Sequence, residues 1–123
     1  MKFGDLIYTK EAAQGEAKSK GETHAPKIEA PEKVKAGEKF EVKVSVGPHP
    51  NTVEHSIRQL DLYLNEDGRA FNPIHLAKVF LEPVYSEPIL TVTLALKKSG
   101  TLYALAYCNL HGVWESSKRI EVE

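Results

Sequence analysis

The single cysteine of this 123-residue chain and its five histidines are the side chains best suited to chemistry. His111 follows Cys108 by three residues, His49 and His55 bracket a proline-containing turn, and His24 lies nearer the N-terminus. A thiolate and an imidazole at this spacing can reach one metal ion, and one thiolate with several imidazoles is a ligand set for a transition metal. Taken alone, each loop histidine is more simply a solvated side chain and the cysteine a small buried residue. Together they predict a metal site.

Three kinds of metal site are compatible with these donors. Structural zinc takes four ligands in a closed tetrahedron, such as one thiolate and three imidazoles. Blue copper also lies on a β-sandwich, but takes two His, one Cys and usually a weak axial Met. The only methionine is Met1, and no candidate follows His111. Iron in a square of four imidazoles with an axial thiolate would use every loop histidine and leave the position opposite sulfur open.

The elements that must position these donors are strands. After Pro26, apolar residues alternate with polar ones in five strong runs and two weaker ones, separated by turn signals such as the Asn65–Gly68 stretch. The strong runs are EKFEVKVSV, SIRQLDLYLN, PILTVTLALKK, TLYALAYC and KRIEVE, and the weaker ones are PKIEAP and AKVFLEP. This pattern predicts an all-β chain folded as an immunoglobulin-like antiparallel β-sandwich of about seven strands. Because a sandwich gathers its loops at its two ends, the histidine loops can meet.

The N-terminal part of the chain has no such alternation. Residues 4–13 predict a short helix or turn, and residues 14–22, rich in Gly and Lys, predict an exposed loop. We therefore expect an N-terminal segment and flexible loop over 1–22 and the metal-binding sandwich over 23–123, within a single domain.

Composition narrows the class of protein. The chain is 41% hydrophobic and 27% charged, with a net charge of −1, which is ordinary for one globular domain and predicts neither nucleic-acid nor membrane binding. A single cysteine cannot form an internal disulfide, and no stretch approaches the roughly 20 apolar residues that span a bilayer. These observations favour a cytoplasmic protein.

The three histidine-bearing segments together resemble the iron-binding segments of the superoxide reductases, the neelaredoxin and desulfoferrodoxin group. The resemblance extends from about Glu22 to the C-terminus, and the absence of further cysteines implies the short, one-iron form. The segments that carry it are GETHAP, GPHPNTVEHSI and YCNLHGVW.

The resemblance implies a mononuclear non-haem iron cofactor that cycles between Fe²⁺ and Fe³⁺. Cys108 would be the axial thiolate, and Glu22 the carboxylate that binds the sixth position in the ferric resting form; both would be catalytic. His75 matches no ligand position and is interpreted as structural or surface. The equatorial ligands implied are His24, His49, His55 and His111.

The implied activity is the one-electron reduction of superoxide to hydrogen peroxide, with electrons from a rubredoxin-like protein and a homotetrameric assembly. The family usually has Glu-Lys-His in the first segment, whereas this chain has Thr23, so that either Lys20 or Lys27 supplies the positive charge from nearby or the loop works without it. The chain has no second cofactor motif such as Gly-x-Gly-x-x-Gly. The alternatives from other classes are a blue-copper-like electron carrier and a zinc-stabilised binding module.

Overall fold

The computed structural model describes all 123 residues and contains two β-sheets. The larger sheet contains Tyr8–Thr9 (β1), Lys33–Val34 (β3), Ile57–Glu66 (β5), Ile74–Phe80 (β6), Gly100–Cys108 (β8) and Gly112–Val122 (β9). The smaller sheet contains Lys27–Glu29 (β2), Lys39–Ser45 (β4) and Ile89–Ala95 (β7). The larger sheet is ordered β1-β9-β8-β5-β6, with β3 also on β9, and the smaller β2-β4-β7.

The predicted all-β sandwich is confirmed, with nine strands in place of about seven. The extra strands are β1 and β3, which have only two residues each and pair parallel with β9, whereas all other pairs are antiparallel. Two residues are too few to show an alternating pattern, so the sequence could not predict them.

Alternation along the long strands builds the main core between the sheets. Val42 and Val44 of β4 and Leu62 of β5 are fully buried, as are Leu102 and Ala104 of β8. Side chains of successive strand residues point to opposite faces, so each of these strands contributes every second residue to the core. A smaller apolar cluster lies at the end of the sandwich where β8 finishes, and its members are Val46, Ile57, Leu60, Leu81, Ala106 and Cys108.

The N-terminal segment packs on the larger sheet and is more regular than predicted. The short helix or turn expected within residues 4–13 is present as a 3₁₀-helix over Phe3–Leu6. Residues 14–22 are largely exposed, as predicted, but the predicted loop is wrong, because Gly15–Lys20 forms a second 3₁₀-helix and Gly21–His24 forms one α-helical turn, α1.

Contacts with distant residues explain this order. The Tyr8 ring stacks on the Trp114 ring with centroids 5.0 Å apart, and Ala13 and Ala25 pack in one cluster with Trp114. A Cβ on Gly21 would lie 3.0 Å from the Lys10 side chain, so a glycine allows the close approach. The division between residues 22 and 23 falls inside α1 and stays a prediction. No helix of the structure is long and apolar enough to cross a membrane.

Candidate metal centre

The predicted donors come from separate segments that meet at one end of the sandwich. His24 ends α1, His49 and His55 lie in the loop between β4 and β5, and His111 lies in the turn between β8 and β9. Cys108 is the last residue of β8 and pairs with Ile57, the first residue of β5. Because His55 lies only two residues before β5, this pairing brings its loop beside the sulfur.

A β-bulge shapes the same corner. Gln59 pairs with Tyr107 and Ile57 with Cys108, so Arg58 has no partner of its own on β8. The extra residue lets both Ile57 and Leu60, three positions apart, point into the apolar cluster. The Arg58 guanidinium turns back to donate to Ser56 Oγ at 2.6 Å and to the Val53 carbonyl at 2.7 Å, which fixes the end of the histidine loop.

Four imidazole rings form a square. The centroid separations around it are 4.6 Å for His24–His49, 4.6 Å for His49–His55, 5.0 Å for His55–His111 and 4.9 Å for His24–His111. Neighbouring rings are nearly perpendicular, at 74–80°, whereas His24 and His55 face each other across the square at 6.2 Å and 28°. Rings arranged in this way present their nitrogen edges to one central point.

The ring nitrogens inside the square are free to bind a metal. His24 Nε2 lies 3.1 Å from His111 Nδ1 and 3.2 Å from His49 Nε2. On the outside, His24 Nδ1–H can donate to the Lys20 carbonyl at 3.1 Å and His49 Nδ1–H to the Pro50 carbonyl at 2.7 Å. In a neutral imidazole that leaves Nε2 with its lone pair, which is the arrangement of a metal-binding histidine.

The sulfur of Cys108 lies next to the square and adds a fifth donor residue to the group. Cys108 is fully buried, and Sγ lies 3.7 Å from His111 Nδ1. The donor atoms of His24, His49, His55 and Cys108 all lie within 4.8 Å of one another. His55 Nε2 is buried and has no hydrogen-bond partner. Leaving such an atom unsatisfied costs about 1–3 kcal/mol, which a metal–nitrogen bond would offset.

Burial keeps these rings neutral. Burial, followed by the neighbouring His49 ring, lowers the pKa of His24 to about 4. Burial is also the largest cause of the lowered pKa values of His49 and His111, and for His111 the next cause is the positive charge of Lys20. Neutral imidazoles at pH 7 retain the lone pairs that a metal ion requires.

The two other residues considered from the sequence lie outside the square. The Glu22 carboxylate forms an ion pair with Lys10 Nζ at 2.5 Å, its side chain is 74% exposed, and Lys10 lowers its pKa. His75 lies on β6, with Nε2 3.1 Å from the Asp61 carboxylate. The structure therefore brings together the four predicted imidazoles and the thiolate, and places Glu22 and His75 elsewhere.

Sequence reasoning missed the side chains that support the predicted ligands. Thr23 Oγ1 lies 2.8 Å from His24 Nδ1 and donates to the Lys20 carbonyl at 3.2 Å. Asn109 accepts from the Ser56 N–H at 2.9 Å and donates to the Glu54 carbonyl at 2.9 Å, so it ties the cysteine turn to both neighbours of His55. In the sequence, only its position between the predicted ligands Cys108 and His111 indicates a role for Asn109.

The donor set discriminates between the metal classes. Three imidazoles and the sulfur form the compact group, and His111 lies beside it, with Nδ1 3.1 Å from His24 Nε2 and 3.7 Å from Cys108 Sγ. This is one donor more than a closed structural zinc site takes. A blue-copper site would need a weak axial ligand, and the only methionine, Met1, is 96% exposed at the N-terminus. Four ring nitrogens with one sulfur fit the donor set of a single transition-metal ion.

The comparisons with known proteins agree with this geometry. The desulfoferrodoxin family model matches residues 16–117. The chain belongs to the desulfoferrodoxin family. This membership confirms the resemblance found in the three histidine-bearing segments.

Several desulfoferrodoxin relatives match nearly the whole chain. The superoxide reductase of Pyrococcus furiosus is 42% identical over 83% of this chain and 91% of its own length. The neelaredoxin of Megalodesulfovibrio gigas is 37% identical over 100% of both chains. A solved structure of the superoxide reductase (neelaredoxin) from Ignicoccus hospitalis is 63% identical, covers 100% of both chains and superposes with a TM-score of 0.94.

The iron affinity of single histidine variants distinguishes a predicted ligand from a histidine outside the square. Loss of a group that only supports a ligand typically costs 10–100-fold in metal affinity, so we expect His55→Ala to weaken iron binding by at least about a hundredfold. His75→Ala, the matched control, should retain the wild-type affinity. Iron content and competition with a chelator measure both. Equal iron binding by the two variants would contradict the assignment of His55.

Proposed function

We propose that this chain is a superoxide reductase, which reduces superoxide by one electron and two protons to hydrogen peroxide. The observation that carries the proposal is the square of four imidazoles beside one buried cysteine sulfur, in a chain of the desulfoferrodoxin family. Relatives that match most of the chain are named superoxide reductases.

We infer that the metal is a mononuclear non-haem iron, because the donor set suits it and the family is named for it. Bound iron would supply the one-electron Fe²⁺/Fe³⁺ couple. Cys108 would hold it from the buried side, and its thiolate charge would favour the ferric state. The imidazoles that would hold the iron are those of His24, His49, His55 and His111.

Burial differs between the two sides of the square. Cys108 is fully buried in the apolar cluster, whereas His49, His55 and His111 are only half-buried. A small anion can therefore approach the rings from solvent, on the side away from the sulfur, and water can deliver the protons.

Lys20 is the better candidate for the positive charge that Thr23 does not provide. Lys20 lines the same surface cavity as His111, and its charge contributes to the lowered pKa of His111. Lys27 Nζ instead donates to the Gly47 carbonyl at 3.0 Å. We propose that Lys20 attracts superoxide toward the exposed side of the rings.

Glu22 remains our proposal for the sixth ligand in the ferric resting form. The carboxylate is exposed and lies two residues before His24. Its partner Lys10 is also on the surface and has a long, flexible side chain. An exposed ion pair of this kind is screened by solvent and contributes little to stability, so exchange of Lys10 for a metal ion costs little.

The electron donor and the assembly are proposed on other grounds. We propose a rubredoxin-like donor, because no second cofactor motif is present in the chain. We propose a homotetramer, which is supported by a groove on the larger sheet rich in apolar and aromatic side chains. The residues include Phe3, Ile7, Tyr63, Tyr103 and Leu105.

A reduced, buried cysteine favours a cytoplasmic location.

The product yield tests the proposed function. We expect the iron-loaded, pre-reduced protein to convert each superoxide to one hydrogen peroxide without releasing dioxygen, because iron supplies the electron. Rapid-mixing or pulse-radiolysis measurements with peroxide and oxygen assays give these yields, and Cys108→Ser is the comparison variant. Release of dioxygen with half the peroxide yield would indicate dismutation and contradict the proposal.

Salt dependence tests the assignment of Lys20. We expect Lys20→Ala to lower the second-order rate constant for superoxide on the order of threefold at low salt and to weaken its dependence on ionic strength. Lys39→Ala, which removes the same charge at the far end of β4, is the control, and Lys27→Ala tests the rival lysine. An unchanged rate and salt dependence in Lys20→Ala would exclude Lys20.

The ferric spectrum tests Glu22. We expect Glu22→Ala to reduce superoxide as fast as the wild type but to shift the absorption and magnetic spectra of the ferric resting protein, because a different group then fills the sixth position. Glu11→Ala, on the same exposed segment, should leave the spectra unchanged. Identical ferric spectra for Glu22→Ala and wild type would rule out the carboxylate as a ligand.

A further inference from the structure

One residue has a backbone conformation that its side chain disfavours. Val84, in the connection between β6 and β7, has φ of 76° and is the only non-glycine residue with positive φ. A β-branched side chain is sterically unfavourable in this region, so the surrounding contacts must hold Val84 there. The Val84 side chain itself is exposed and packs in none of the apolar clusters. The restraint must therefore act on the backbone.

The carboxamide of Asn51 provides this restraint. Asn51 Oδ1 accepts from the Val84 N–H at 2.7 Å, and Nδ2 donates to the carbonyls of Val84 at 3.4 Å and Ser86 at 3.3 Å. One side chain thus binds both polar backbone groups of the strained residue. We call these three hydrogen bonds the Asn51 clasp.

The clasp lies within the ligand loop. Asn51 is two residues after His49, and His49 lies between Pro48 and Pro50, which have no N–H to donate. Neither neighbour of His49 can therefore donate a backbone hydrogen bond. Before Pro48 the loop is held by the Val46 N–H, which donates to the Pro88 carbonyl at 3.2 Å, and by Lys27 Nζ on the Gly47 carbonyl. Arg58 and Asn109 anchor the half of the loop near His55. The Asn51 clasp anchors the part of the loop that follows His49 to the β6–β7 connection.

We propose that Asn51 is a positioning residue, which holds the His49 ring in the square by clasping the strained Val84 backbone. This proposal rests on the metal centre proposed above and extends it to a side chain that is not a ligand. The left-handed conformation of Val84 places its N–H and C=O within reach of one carboxamide, which explains why an unfavourable backbone is retained.

The same bonds could merely stabilise the fold, and the chain contains a matched control for that alternative. Asn72, in the β5–β6 connection, also accepts one backbone hydrogen bond, from the Glu66 N–H at 3.1 Å. Its Nδ2 donates to the carbonyls of Glu66 at 2.9 Å and Arg69 at 3.3 Å. Asn72→Ala therefore removes an equivalent set of bonds in a loop that contains no predicted ligand.

The experiment follows the release of iron from the holoprotein to an excess of a ferrous chelator. We expect Asn51→Ala to accelerate release on the order of tenfold and to shift the visible band of the ferric protein, because His49 becomes mobile. Asn72→Ala should lower the thermal unfolding midpoint similarly but release iron at the wild-type rate. Asn51→Asp, which keeps the shape but cannot donate to the two carbonyls, should also accelerate release and serves if the alanine variant does not fold.

The outcomes separate this proposal from the proposed function. Equal iron release from Asn51→Ala and Asn72→Ala, with wild-type spectra in both, would overturn the positioning role while leaving the metal centre intact. Failure of the wild-type protein to bind iron would overturn the metal centre, the proposed function and the role of Asn51 together.

Discussion

The centre depends on the antiparallel pairing of the first residue of β5 with the last residue of β8. Ile57 opposite Cys108 places the loop that bears His55 against the sulfur. The bulge at Arg58 lets Ile57 and Leu60 both point into the apolar cluster that contains Cys108. A shift of one residue in this register would turn Cys108 to the other face of the sheet. The ladder continues into the fully buried Leu62 and Ala104, so the core of the sandwich fixes the register of the site.

Desolvation and support from the backbone then set the chemistry of the donors. Burial lowers the pKa values of His24, His49 and His111, and carbonyls outside the square accept from Nδ1 of the first two. The rings thus remain neutral and correctly oriented before any metal binds. Because these hydrogen bonds orient the rings in advance, they lower the entropic cost of metal binding.

The parts of the fold that follow from local pattern could be predicted from the sequence, whereas those that depend on distant contacts could not. Alternation in β4, β5 and β8 predicts the sandwich, and the histidine spacing predicts the imidazoles that the structure brings together with the sulfur. Three features could not be predicted from the sequence. They are the helical turns over residues 15–24, the pairing of Glu22 with Lys10, and the Asn51 clasp on Val84. Each arises from a contact between segments that no local pattern relates.

X-ray absorption spectroscopy of the iron-loaded, reduced protein tests the central claim most directly. The convergence of four imidazoles and one thiolate predicts an iron environment with one sulfur and four nitrogen scatterers, and loss of the sulfur contribution in Cys108→Ser. An iron environment without sulfur, or with clearly fewer than four imidazole nitrogens, would contradict the account.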